Sequence, residues 1–169
     1  RDARSGTPQR LRQWIEPQPG RPRVLVSGSA IGDDGPRDDA PVNEDASAGS
    51  DFAAQLCRDW EAEALRAQAL GLRVCTVRIG VVLGKDGGAL AKMLPPFKLG
   101  AGGPMGDGRQ WMSWVHRQDL VRLILWLLEH EHTQGAYNGT APNPLRNRDL
   151  AHTLGKVLHR PAVLPTPAI

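Results

Sequence analysis

Two stretches of this chain are mainly apolar and β-branched, and the segment between them decides how they pair. Residues 23 to 28, RVLVSG, and residues 73 to 84, RVCTVRIGVVLG, show little of the alternation of a strand with one wet face. Strands of that kind are covered on both faces, as in a parallel sheet. Between them Phe52, Leu56 and Trp60 recur at fourfold spacing, which predicts a helix over residues 51 to 70 with Ser50 as its cap and Gly71 as its stop. Parallel strands need a crossover of that length, whereas an antiparallel pair needs only a tight turn. Strand, helix and strand therefore form one βαβ unit, and the fold class is α/β with a parallel sheet.

The remaining elements alternate in the same way, without an internal repeat. Thr7 and Pro8 open a helix that puts Leu11, Trp14 and Ile15 on one face and ends at EPQPG. Residues 32 to 50, rich in Asp, Pro, Gly and Ala, read as a loop. Ala89 to Leu94 predict a short helix stopped by Pro95 and Pro96, and KLGAGGPMGDGRQ is too glycine-rich for regular structure. WMSWVH follows as a strand. Asp119 is placed to cap a helix running to His130, with Leu120, Leu123, Ile124, Leu127 and Leu128 as a core-facing stripe. Asn147 is placed to cap a last helix that ends near His159.

Several classes of function are excluded early. The 21 basic residues are interspersed with 18 acidic ones for a net charge of +3, so no basic face marks a nucleic-acid partner. No apolar run reaches the roughly 20 residues of a membrane span. Cys57 and Cys75 have no neighbouring ligand at metal spacing and read as buried reduced thiols. With no signal peptide ahead of the domain, the expected compartment is the cytoplasm. A chain that starts at Arg1 without a methionine reads as a piece of something longer.

The first strand ends in hydroxyls. In open α/β sheets ligands sit beyond the carboxyl ends of the strands, so Ser27 and Ser29 in VLVSGSAIGDDG are either working residues or the start of a loop. The acids that follow, Asp33, Asp34, Asp38, Asp39, Glu44 and Asp45, are either a solvated loop or part of a site. Glycines 100, 102, 103, 106 and 108 do not make a dinucleotide fingerprint, because they follow a proline-broken helix and not a first strand opening into a helix.

The order of features in PPFKLGAGGPMGDGRQWMSWVHRQDLVRLILWLL, residues 95 to 128, together with VLVSGSAIG, VRIGVVLGKDGG and YNGTAPNPLRNRDLAHTLGKVLHRPA, resembles a known family. It is an atypical branch of the extended short-chain dehydrogenase/reductases, the NAD-dependent epimerase/dehydratase-like proteins labelled nucleoside-diphosphate-sugar epimerase-like. The resemblance runs from Arg4 to Ile169. It implies the C-terminal half of a doubly wound, Rossmann-like sheet with part of a small substrate lobe. Residues 1–135 would be the later part of the cofactor domain, with lobe insertions at about 85–112, and 136–169 the start of a C-terminal extension. The cofactor it implies is NADP or NAD, with NADP slightly favoured. The partners are that dinucleotide and a small-molecule substrate, a nucleotide-sugar among the candidates, and a homo-oligomer is compatible.

Residue by residue, the resemblance places Ser29 where relatives hydrogen-bond the reacting carbonyl or hydroxyl, with Ser27 and Gly28 beside the cofactor. Arg78, Ile79, Gly80 and Val81 match the strand end that passes the nicotinamide, where a small residue admits the backbone to the ring; close packing in a buried strand explains Gly80 equally well. His116 and Asp119 match family positions, although a structural histidine and a helix cap also account for them. Arg109 lies three residues before Met112, which holds the offset of the family's diphosphate-gripping arginine, so it is the substrate-side candidate. Asp33 and Asp34 stand where the family commonly shows tyrosines. The Tyr-x-x-x-Lys pair is absent: Phe52 with Leu56, or Ala53 with Cys57, holds its place. Two readings stay open, a segment of an NAD(P)-dependent epimerase or oxidoreductase, and a cofactor-binding protein of the same fold with impaired chemistry.

Overall fold

The computed structural model describes residues 2–34, 39–47 and 49–165, with side chains from residue 9 onward except those of Asp33 and Asp34. In chain order the elements are α1 (Asp2–Ile15), β1 (Val24–Ala30), α2 (Phe52–Leu65), β2 (Arg73–Ile79), β3 (Val81–Gly84), α3 (Gly88–Lys98) and β4 (Trp111–Met112). Then come β5 (Trp114–His116), α4 (Arg117–Glu129), β6 (Gly135–Gly139), β7 (Leu145–Arg146) and α5 (Asn147–Leu158). They fall into two units, Arg1–Ile79 with Val121–Gly139, and Gly80–Leu120 with Thr140–Ile169.

The first unit is the expected βαβ. β1 pairs in parallel with β2 from Val24↔Arg73 to Ala30↔Ile79, with α2 as the crossover, and β6 joins the far edge of β2, also in parallel. β1 ends two residues beyond its apolar run, because Ser29 and Ala30 still find partners in Arg78 and Ile79. Ile15, Ala64, Ala67, Leu72 and Val74 form the core, with Leu25 and Leu70 packed on it. Cys57 and Cys75 are both buried and neither is in a disulfide.

Helix boundaries depart from expectation in instructive ways. α1 runs through Thr7 and Pro8, so Thr7 does not open it. α2 is capped by Asp51 and not Ser50, the carboxylate accepting from Ala54 N at 2.8 Å. It ends at Leu65, and a tighter turn over Arg66–Leu70 carries the chain to Gly71, whose φ of 82° makes the stop. Its buried face is Ala54, Cys57, Glu61 and Ala64, while Phe52 is 71% exposed. Small side chains let the helix lie close on the sheet, a requirement that apolar spacing alone does not express.

α4 is anchored at its carboxyl end by β2. Arg73 Nη1 donates to Leu127 O (2.8 Å), Thr133 O (3.0 Å) and Thr133 Oγ1 (2.7 Å), and Nη2 donates to Leu128 O (3.3 Å). A guanidinium there satisfies terminal carbonyls and meets the negative end of the helix dipole. Of the expected stripe Leu127 is buried, Leu123 and Ile124 are partly so, and Leu128 is exposed. Arg73→Met is expected to lower stability by about 2 kcal/mol, since charged hydrogen bonds to buried acceptors would be lost. Urea unfolding checks this, and a loss below about 0.5 kcal/mol would show that water replaces the guanidinium freely.

In the second unit β3 pairs in parallel with β5, and β4 pairs antiparallel with β7. The expected strand 73–84 is thus two strands, broken at Gly80. A Cβ on Gly80 would lie 2.6 Å from Ser113 O, and that same oxygen accepts from Val81 N at 2.8 Å. Ser113 likewise divides WMSWVH, sending Trp111–Met112 to β7 and Trp114–His116 to β3.

α3 continues through Pro95 and Pro96, because its last carbonyls are taken up beyond them by Leu99 N and Ala101 N and because Phe97, 3% exposed, packs on Ala151 and Ala162. α4 starts before Asp119, which lies in the first turn, where a carboxylate suits the dipole; His116 Nδ1 accepts from Gln118 N at 3.3 Å in the capping place. Asn147 is the first residue of α5 and does not cap it. Its buried carboxamide holds the glycine-rich loop instead, accepting from Met105 N at 2.7 Å and donating to Met112 Sδ at 3.1 Å.

Candidate functional site

Parallel pairing lines up residues on rungs whose side chains share one face of the sheet. Ser29, Arg78 and Asn138 occupy one such rung near the carboxyl ends of β1, β2 and β6. Arg78 fixes which face this is. Its Nε and Nη2 each reach a carboxylate oxygen of Glu61 on α2 at 3.0 Å, a bidentate pair with both side chains about nine-tenths buried. Its Nη1 donates to Glu44 O at 3.2 Å. The same Glu44 sends Oε1 to Asn138 N at 2.7 Å.

Next to this satisfied cluster stands a polar group that is not satisfied. Ser29 is 8% exposed, and its Oγ has no hydrogen-bond partner among the described residues. Leaving a hydroxyl so costs about 1–3 kcal/mol, a cost that folds tolerate where a ligand will supply the partner. Ser27 lies two residues earlier on the same face, opposite Thr76. Gly28 points to the other face, where a Cβ would meet only Ile79 Cδ1 at 3.5 Å. Ile79 closes β2 opposite Ala30.

The turn after Ser29 is flanked by α2. A Cβ on Gly32 would lie 3.6 Å from Ala53 Cβ and 3.9 Å from Cys57 Sγ. Of the two alternatives for the absent Tyr-x-x-x-Lys pair, Ala53 with Cys57 is therefore the one that borders the turn, while Phe52 is solvent-facing. A methyl and a thiol stand there, and neither duplicates a phenol tuned by an ammonium. Asp34 closes the turn Ile31–Asp34; its side chain and that of Asp33 lie outside the described residues, as does Asp38.

The other sequence candidates belong to the second unit. Gly80 and Val81 are packed against Ser113, and that contact alone accounts for the glycine. Arg109 is exposed; its backbone N donates to Asp107 Oδ1 at 3.0 Å and its carbonyl accepts from Arg146 Nη1. Arg146 in turn lies 3.9 Å over the Trp111 ring, a cation–π stack. His116 is exposed, with Nδ1 occupied at the start of α4. The glycine-rich loop is built for packing: a Cβ on Gly102 would strike the Phe97 ring, and one on Gly103 the Leu164 carbonyl.

Glu61 and Asn138 were not legible as site residues, and the sequence leaves Glu44 open between a solvated loop and a site. Glu61 did leave a signal, an acid four residues after Cys57 on the buried face of a helix. Among the described residues no group of three or more His, Cys, Asp or Glu could hold a metal ion, and no helix is long and apolar enough to cross a membrane.

Comparison with known proteins gives this geometry a family. Residues 3–138 match the model of the NAD dependent epimerase/dehydratase family. The epimerase family protein SDR39U1 homolog, chloroplastic, of Arabidopsis thaliana is 50% identical over 151 residues, 89% of this chain and 43% of that protein. The crystal structure of human epimerase family protein SDR39U1 (isoform 2) with NADPH has a TM-score of 0.91 at 39% identity, covering 97% of this chain and 56% of that one. A nucleoside-diphosphate sugar epimerase from Corynebacterium glutamicum has a TM-score of 0.83 at 31% identity, covering 99% and 37%. The chain thus spans about half the length of the curated relatives it matches. On these grounds the chain belongs to the NAD dependent epimerase/dehydratase family.

Proposed function

We propose that this chain supplies the substrate-side half of an NAD(P)-dependent oxidoreductase or epimerase that acts on a small hydroxyl- or carbonyl-bearing molecule. The observation that carries the reading is the buried Ser29 hydroxyl at the carboxyl end of β1, which has no hydrogen-bond partner among the described residues. A ligand oxygen held there completes that hydroxyl, which donates to a carbonyl or accepts from an alcohol. The nicotinamide, when bound, supplies or takes up the hydride. Arg78, locked by Glu61 and Glu44, keeps the rung rigid. The human relative carries NADPH, which favours NADP(H) as the cofactor.

A second reading has its own support. With Ala53 and Cys57 beside the turn, neither of them supplies a phenol tuned by an ammonium, which favours a protein that holds the cofactor with impaired chemistry. One experiment separates the two. In the full-length protein NADPH is titrated by nicotinamide fluorescence, and carbonyl reduction is followed across a panel of small ketones, aldehydes and nucleotide-sugars. Under the first reading Ser29→Ala keeps NADPH affinity and lowers turnover by about 100-fold. No turnover on any member of the panel, with NADPH still bound tightly, selects the second. Residues 1–169 alone are expected not to bind NADPH tightly, because they hold no glycine turn opening a helix after a first strand to receive its pyrophosphate.

A further inference from the structure

Glu44 lies in sequence between Ser29 and α2, yet its partners are on β2 and β6. Glu44 is drawn to the far side of the sheet, to strands that lie 34 and 94 residues further along the chain. Its carbonyl receives Arg78 Nη1 and its carboxylate receives Asn138 N, and both of those residues share the rung of Ser29. With neighbouring strands about 4.8 Å apart, Glu44 is moored one to two strand spacings from the Ser29 hydroxyl, over the same end of the sheet.

We propose that residues 39–47 form a strap across the Ser29 rung, and that Glu44 is its latch, a positioning residue that sets access to the Ser29 hydroxyl. The mooring is polar and made at an exposed residue, so it opens at small cost and re-forms in one place. The backbone N–H of Asn138 gives the carboxylate one fixed direction, and Arg78, immobilised by Glu61, gives the carbonyl another. An acid that composition leaves open between a solvated loop and a site thereby becomes a point at which the loop is held. This inference rests on the reading of Ser29 as the group that receives the ligand's oxygen, but its test reads access and not turnover, so the two fail separately.

The test is alkylation of the full-length protein carrying Ser29→Cys, with iodoacetamide as the probe and each cysteine followed by mass spectrometry. Adding Glu44→Ala is expected to speed alkylation at position 29 by about tenfold while Cys57 and Cys75 keep their slow rates. Glu44→Gln retains an acceptor oxygen for Asn138 N and is expected to restore the slow rate at position 29. Equal rates at position 29 with and without Glu44→Ala would overturn the proposal. So would a rise shared by Cys57 and Cys75, which would signal general loosening, or a Glu44→Gln rate as fast as that of Glu44→Ala.

Discussion

Glu61→Ala is expected to cost about 3–5 kcal/mol and to lower Tm by roughly 10 °C, the largest loss anticipated for a single substitution in this chain. The variant would leave the Arg78 guanidinium buried without the two carboxylate oxygens that now hold its Nε and Nη2. A buried charge without its counterion costs far more than the pair contributed, because desolvation is no longer offset. Glu61→Leu combined with Arg78→Met should therefore be milder than Glu61→Ala, since the double replacement removes the charge together with its need. Thermal and denaturant unfolding of the three proteins decides the point. A loss under about 1 kcal/mol for Glu61→Ala would mean that water reaches the guanidinium and that the pair is not the anchor of the rung.

Gly80→Ala is expected to cost about 3 kcal/mol, at the upper end of overpacking penalties, because the obstacle is backbone. Its Cβ would stand 2.6 Å from Ser113 O and 3.1 Å from Thr140 Cγ2, so the hydrogen bond from Val81 to Ser113 must lengthen to make room. Gly28→Ala is the control. Its Cβ would make ordinary contact with Ile79 Cδ1 at 3.5 Å, and it is expected to be neutral or to stabilise by about 0.5 kcal/mol. Unfolding curves that place the two substitutions within error of each other would refute the close approach at Gly80.

Where the sequence could be read and where it could not follows from the range of each interaction. The βαβ unit was legible because continuous apolar runs and a helix between them are local facts. The break at Gly80 was not, since the atom that forbids a side chain belongs to Ser113, thirty-odd positions away. α2 misled in a different way: Phe52, Leu56 and Trp60 are the large apolar residues, yet close approach to the sheet selected Ala54, Cys57 and Ala64. Caps slipped by one to three residues, from Ser50 to Asp51 and from Asp119 to His116, because neighbouring polar side chains compete for the same N–H groups. Ser29 was singled out by its place at a strand end, but that its hydroxyl is buried without a partner among the described residues is visible only in three dimensions. Glu44 was left open between a solvated loop and a site, since its acceptor role depends on a backbone N–H 94 residues away.

The first unit is written in two instalments, and this has a consequence for its birth on the ribosome. β2 and β1 are complete by residue 79, whereas α4 and β6 arrive with residues 121–139. The acceptors that Arg73 needs, Leu127 O and Thr133 O, lie 54 and 60 positions downstream. At about 5–20 residues per second, roughly 3–12 seconds pass before the last of them emerges. Through that interval β2 has β1 on one side and nothing on the other, with an uncapped guanidinium at its amino end. The middle strand of the β1-β2-β6 sheet is thus an edge strand while these residues are being made, and translation of residues 80–120 is the period in which a chaperone, or another nascent chain, meets it first.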